Sequence, residues 1–277
     1  MRVVRTRAEL AAALADARGR TGLVPTMGNL HRGHLALVEA VRKQADFIVA
    51  SIFVNPLQFG PSEDYKTYPR TFDEDCAAFA DAGVDVVFAP AVQDIYPDGA
   101  EAIEQVTVPP HLADILEGAS RSGHFNGVAT VVKLLFDVVH PNVAAFGEKD
   151  FQQLLVIRWL VNAYSLPVAI LGVPTVREPS GLALSSRNQY LTADERARAP
   201  AIYSALTAVA EAIRAGDIDW AALSAKGADA LASAGLQPEY LELRNANDLS
   251  APRAGEPLVV LTAARLGKAR LIDNLRV

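Results

Sequence analysis

The chain has 277 residues, 51% apolar and 21% charged, with a net charge of −6 and a single cysteine, Cys76. Its length allows one large or two modest domains, and its acidic balance with scattered Arg and Lys argues against a nucleic-acid partner. One thiol excludes an internal disulfide and a cysteine-rich metal site; no apolar run reaches the roughly 20 residues of a membrane helix, MRVVRTRAEL has no apolar signal core, and a cytoplasmic setting is the expectation.

Taken in chain order, TGLVPTM (21–27) reads as a buried strand ending in a turn. His34, Leu37, Val38, Val41 and Ala45 then share one helical face. DFIVASIFV (46–54) is strand-like, and Thr71-Phe72-Asp73-Glu74 has the pattern of a capping box opening a helix to about Ala82. DVVFAP (85–90) is the next strand, and HFNGVATVVKLLFDVV (124–139) is a helix with Pro141 past its end. VAAFG (143–147), residues 150–164 and PVAILGVP (167–174) read as strand, helix and strand. Alternation of this kind, with near-continuous apolar strands, predicts a parallel sheet covered on both faces. Ligands then bind beyond the carboxyl ends of the strands, which is where MGNLHRGH, NPLQFG, GEKD and VREPSGLALSSRN fall.

The texture changes after about residue 188. Thr192-Ala193-Asp194-Glu195 is a second capping-box pattern, expected to open a long helix to about Ala215. Another helix follows Asp219, and residues 239–245, 256–267 and 269–277 are strand-like. The expected fold class is therefore α/β: a Rossmann-like domain over 1–175 and a smaller α+β domain over 176–277. The Pro, Gly and Ser of residues 176–190 suit a hinge.

The stretch PTMGNLHRGH holds the start of a phosphate loop, Gly28-x-x-x-x-Gly33, but puts His34 where that loop needs Lys. A glycine-bearing turn before a helix presents backbone N–H groups and the positive end of the helix dipole to an anion. His31 and His34, three residues apart, lie on one side of such a helix and can donate to phosphate oxygens. The same residues also fit an ordinary polar helix start. A zinc site lacks partners, since the chain has only three other histidines. Lys149 at a helix start opposes the dipole, which favours an anionic partner over a bare surface lysine. Ser185, Ser186 and Arg187 fit a phosphate-binding loop or a plain one. Gln58 and Gln153 fit either substrate amides or ordinary loop and helix residues. Asp73, Glu74 and Asp75 read as a solvated acidic helix start.

Together, Pro25-Thr26-Met27-Gly28-Asn29-Leu30-His31-Arg32-Gly33-His34, Phe53 to Phe59, Gly123 to Val128, Phe146 to Gln153 and Leu184 to Asn188 resemble the pantothenate synthetase (pantoate–β-alanine ligase) family. That family belongs to the nucleotidyltransferase superfamily with the HIGH signature. The resemblance covers the N-terminal two-thirds with several ordered motifs; the remainder agrees in size and texture only. It implies condensation of (R)-pantoate with β-alanine, using ATP and Mg²⁺, through a pantoyl adenylate. On the family pattern His31, His34, Lys149 and Arg187 are catalytic. Met27, Gly28, Asn29, Leu30, Arg32, Gly33, Gly147, Glu148, Asp150, Val176, Leu184, Ser185 and Ser186 complete the ATP site. Gln58, Gln153 and Asn55 bind substrate. No protein ligand for Mg²⁺ is indicated, and a homodimer is implied. Asn126 stands where family members often carry Arg. Two other readings stay open: another small-molecule adenylyltransferase, and a non-catalytic nucleotide binder. The neutral Gln58 and Gln153 argue against the first, since a phosphate acceptor calls for cations; the intact His, Lys and Arg set argues against the second.

Overall fold

The computed structural model describes residues 1–60 and 65–277. The chain divides into two compact units, residues 1–148 with 153–174, and residues 149–152 with 175–277.

In the first unit, β1 (Arg2–Val4), α1 (Arg7–Ala15), β2 (Thr21–Thr26), α2 (Arg32–Arg42), β3 (Phe47–Ile52), α3 (Phe72–Asp81) and β4 (Val86–Phe88) come first. Three short helices follow, α4 (Val92–Ile95), α5 (Pro110–Ala113) and α6 (Glu117–Ser120), and then α7 (His124–Val139), β5 (Val143–Gly147), α8 (Phe151–Ala163) and β6 (Ala169–Val173). The strands form one parallel sheet in the order β1-β4-β3-β2-β5-β6. The central strands are largely apolar because helices cover both faces. Val24, Ile48, Ala50, Val87, Val143 and Ala145 meet Leu37, Val38 and Val41 of α2 in one core. Each large side chain buried there contributes about 1.5–3 kcal/mol. The winding reverses between β2 and β5, and the crevice at such a switch point is where doubly wound sheets take ligands.

The second unit carries α9 (Ala193–Arg198), α10 (Ala201–Arg214), α11 (Trp220–Ser233) and an antiparallel sheet, β7 (Gln237–Asn245), β8 (Leu258–Leu266) and β9 (Ala269–Arg276). Leu206, Val209, Leu231, Val260 and Ala264 sit at its core. The fold is thus a Rossmann-like parallel α/β unit with a smaller α+β unit.

Two expectations are corrected. Thr71 makes no cap: at ψ 49° its hydroxyl does not reach the helix amides, and Thr71 Oγ1 is buried without a partner. The helix after Thr192 is two helices, because Pro200 lacks an N–H and its ring collides with the preceding turn. Residues 176–190 carry local order of their own. Glu178 N donates to Leu182 O (2.8 Å) and Leu184 N to Val176 O (2.9 Å), making a hairpin that turns at Gly181, φ +94°. A 3₁₀ turn over Ser186–Tyr190 follows.

Candidate active site

The turn after β2 is held by a short series of bonds. Thr26 Oγ1 donates to Ser51 O (2.6 Å) and accepts from Gly28 N (3.3 Å), fixing Gly28 at φ +83°, a conformation that favours glycine. Asn29 follows at φ +52°. His31 is then the N-cap of α2: its Nδ1 accepts from Gly33 N (3.1 Å), while His31 N donates to His34 Nδ1 (3.2 Å). The rings stack, with centroids 4.1 Å apart. Two imidazoles thus do what Ser and Glu do in an ordinary capping box. The consequence is chemical. A ring nitrogen that accepts from an amide carries no proton, so in the neutral ring the proton sits on Nε2. Both histidines therefore carry their N–H donor on the ring edge away from the cap.

The turn does not offer a bare nest of amides, as the glycine pattern suggests. Asn29 N donates to Asp75 Oδ2 (2.9 Å) and Leu30 N to Asp75 Oδ1 (2.8 Å). Asp75, from the first turn of α3, is 3% exposed. Reading it as solvated is therefore corrected: its carboxylate is spent on the loop backbone. Beside it, burial pushes the Cys76 thiol up from its ordinary value, with the charges of Asp75 and Asp73 adding to the effect. Met27 and Leu30 are half-buried, and exposed Arg32 begins α2, with Gly33 and His34 next in its first turn.

After β3, Asn55 is wholly buried. Its Oδ1 accepts from Tyr96 Oη (2.7 Å) and Leu57 N (3.3 Å), and its Nδ2 donates to Gly127 O (3.1 Å). Burial pushes the Tyr96 phenol well up, so it stays a donor. Asn55 therefore shapes the turn, with both ends of its amide bonded within the protein. The turn it shapes carries Gln58, half-buried. Gln58 O accepts from Arg121 Nη2 (3.0 Å) and His124 Nδ1 (2.8 Å). Arg121 Nη1 lies 3.0 Å from His124 Nε2 and can only donate, which puts the ring proton of His124 on Nδ1. Asn126 also has a place: its Oδ1 accepts from Val108 N (3.0 Å). Gly147 ends β5 and Glu148 follows it, and Gln153 is half-buried on α8.

In the second unit, Lys149 O accepts from Asn274 Nδ2 (2.8 Å), and Lys149 Nζ is 3.7 Å from Asp150 Oδ1. Lys149, Ser185, Asn188 and Asp273 line a small cavity with Leu182 and Leu271. Ser185 Oγ caps the 3₁₀ turn by accepting from Arg187 N (3.3 Å), and Asn188 Nδ2 ties that turn to Ala183 O (3.0 Å). Val176 and Leu184 pair through their backbones, and Ser186 and Arg187 are half-buried. Arg177 grips Asp273 with two bonds (2.6 and 2.9 Å) and lies 3.9 Å over the Tyr203 ring.

Asp75, Arg121, His124, Arg177, Asp273 and Asn274 were not singled out from sequence. Asp75 sits in an acidic run with no mark to separate it from its neighbours. Arg177, Asp273 and Asn274 announce themselves only through pairing across about a hundred positions.

Residues 2–276 match the family model described as pantoate-beta-alanine ligase. A pantothenate synthetase from Thioalkalivibrio sulfidiphilus is 56% identical over 281 residues, covering 100% of this chain and 98% of its own length. One from Nitrosococcus oceani is 54% identical over 281 residues, with the same coverage, 100% and 98%. Among solved structures, pantothenate synthetase from Thermus thermophilus superposes with a TM-score of 0.92 at 50% identity, covering 99% of each chain. The pantoate-beta-alanine ligase from Francisella tularensis, complexed with beta-gamma ATP and beta-alanine, gives 0.82 at 35% identity over 100% of this chain and 97% of its own. Likeness at this level runs the length of both units, and the chain belongs to the pantoate–β-alanine ligase family.

Proposed function

We propose that this enzyme condenses (R)-pantoate with β-alanine at the expense of ATP, releasing AMP and pyrophosphate. One observation carries the reading: the family match extends from residue 2 to residue 276. In the first step a pantoate carboxylate oxygen bonds to the α-phosphorus of ATP, and the bond from that phosphorus to pyrophosphate breaks. The β-alanine amine then attacks the acyl carbon of pantoyl adenylate, AMP leaves with the carbon–oxygen bond electrons, and the amine gives up a proton.

The protein's task in the first step is positioning and charge stabilisation. The Nε2–H groups of His31 and His34 suit phosphate oxygens as compact donors, which is why a lysine is not needed there. We assign Lys149, Ser185, Ser186 and Arg187 to the phosphates as well, and Met27, Asp150, Val176 and Leu184 to the nucleoside. Gln58 and Gln153 are assigned to pantoate; neutral amides orient a carboxylate without quenching its nucleophilicity. The backbones of Gly28, Asn29, Leu30, Arg32, Gly33, Gly147 and Glu148 are read as the walls of the ATP site. A mixed anhydride hydrolyses in water, and the second unit is read as the lid that prevents this.

ATP enters as its magnesium complex. Among the described residues no group of three or more His, Cys, Asp or Glu could hold a metal ion. A Mg²⁺ that arrives on phosphates and keeps its waters requires no such cage. We also propose a homodimer and a cytoplasmic setting; sedimentation equilibrium and cell fractionation test these. Among the described residues no helix is long and apolar enough to cross a membrane.

The test uses pantoate carrying oxygen-18 in its carboxylate. Label recovered in AMP establishes attack of that carboxylate on the α-phosphate. Pantothenate formed with unlabelled AMP keeps the overall reaction and removes the adenylate route. Absence of turnover removes the reading.

A further inference from the structure

We infer that Asp75 is a positioning residue for adenylate formation: its carboxylate sets the Asn29–Leu30 backbone and, through it, the His31/His34 pair. The inference rests on the proposed role of those histidines at the phosphates.

The geometry is a chain of bonded neighbours. Asp75 is buried, and each of its carboxylate oxygens accepts from one of two consecutive amides, Asn29 N at 2.9 Å and Leu30 N at 2.8 Å. Next along the backbone is His31 N, which donates to His34 Nδ1 at 3.2 Å. Leu30 is thus one peptide unit from the amide that fixes the ring and tautomer of His34. Asn29 lies at φ +52°, a left-handed conformation that asparagine tolerates better than most residues. The carboxylate also packs tightly on Gly28, where an added Cβ would lie 2.8 Å from Asp75 Oδ2. A buried carboxylate is costly unless its oxygens are satisfied, and charge-assisted bonds to backbone amides do so with fixed geometry. Asp73 and Glu74, beside it in the first turn of α3, make no such contact with the loop among the described residues.

Asp75→Asn is the direct test. Its amide keeps one acceptor but turns an N–H toward an N–H, so one loop bond is lost. Displacement of catalytic groups by about 1 Å costs about 10²-fold. Pantoate-dependent release of pyrophosphate should therefore fall about 10²-fold in kcat. Conversion of supplied pantoyl adenylate by β-alanine should be unchanged. In ¹⁵N-histidine spectra the Nε2–H form of His34 should give way to a tautomer mixture. Asp75→Glu keeps the charge and should restore part of the first half-reaction. If Asp75→Asn does not fold, Asp75→Glu alone decides, since the same split between half-reactions is then expected at smaller size. Normal pyrophosphate release with only a lowered Tm overturns the inference. So does an equal fall in both half-reactions with the His34 tautomer intact. His34→Ala separates this failure from that of the underlying reading: if it retains adenylate formation, the role of the histidines is wrong, whatever Asp75 does.

Discussion

At His31 one side chain has two jobs on two different atoms. Nδ1 accepts the cap bond from Gly33 N, and the ring proton is left on Nε2. Asparagine can copy the first job but not the second, because its amide oxygen sits where Nδ1 does and nothing reaches as far as Nε2. His31→Asn should therefore hold α2 to within about 0.5 kcal/mol, since Asn is a good N-cap. It should still lower pantoate-dependent pyrophosphate release by about 10²–10³-fold, the usual cost of a lost charge-stabilising donor. Denaturant titration alongside the rate assay checks both halves of that statement. The histidine pair stood out in the sequence because it falls where a phosphate loop has its lysine, and its role at the phosphates is the proposal made above. What the sequence did not show was that they close a capping box, because two imidazoles in place of Ser and Glu are outside the usual capping vocabulary. Asp75 was illegible for a different reason: only the fold tells which carboxylate of Asp73-Glu74-Asp75 faces inward.

Among the elements, the same capping pattern occurs three times with two outcomes. Thr6 with Glu9, and Thr192 with Glu195, close their boxes; Thr71 with Glu74 does not. Side-chain types alone do not encode the ψ of the cap residue, so the pattern locates a helix start better than it locates a bond. The two closed boxes have a pH signature. Hydrogen bonds from the Arg5 and Thr6 amides hold the Glu9 carboxyl below its ordinary 4.5, and the Thr192 amide does the same for Glu195. A carboxyl whose folded value is depressed stabilises above the unfolded value, and that contribution disappears as pH falls through the folded one. Glu195→Ala should thus lower Tm slightly at pH 7, and the difference from the parent should close as the pH drops below 4.5. Thermal melts across that range decide it. The turn carrying Gln58 makes a second case. A methyl at Gly127 would overlap the Leu57 carbonyl oxygen. Alanine gains about 1 kcal/mol of helix preference over glycine, while forced overpacking costs about 1–3 kcal/mol. The backbone oxygen cannot rotate away, so the clash prevails. Gly127→Ala should lose on the order of 1 kcal/mol of stability and raise the KM for pantoate, with the KM for β-alanine as the control.

From residue 21 on, the order of the long strands and helices was legible because parallel strands buried on both faces read as near-continuous apolar runs, whereas β1, α1 and the short helices α4, α5 and α6 were not read. The Rossmann-like α/β unit and the smaller α+β unit both follow from that texture, and strand boundaries such as Val143–Gly147 fall where the sequence puts them. Long-range ties were not legible, and in the second unit they carry much of the order. Arg177 is half-buried and Asp273 is 3% exposed at its side chain, with two short bonds between them. Removing one partner strands the other charge, which typically costs about 3–5 kcal/mol. Arg177→Ala should lower the unfolding midpoint accordingly, seen by chemical denaturation.

The bond from Asn274 to the Lys149 carbonyl spans 125 positions of the chain. During synthesis at about 5–20 residues per second, the lysine turn is made roughly 6–25 seconds before its anchor. For that interval the nascent chain carries the lysine without the side chain that ties down its backbone.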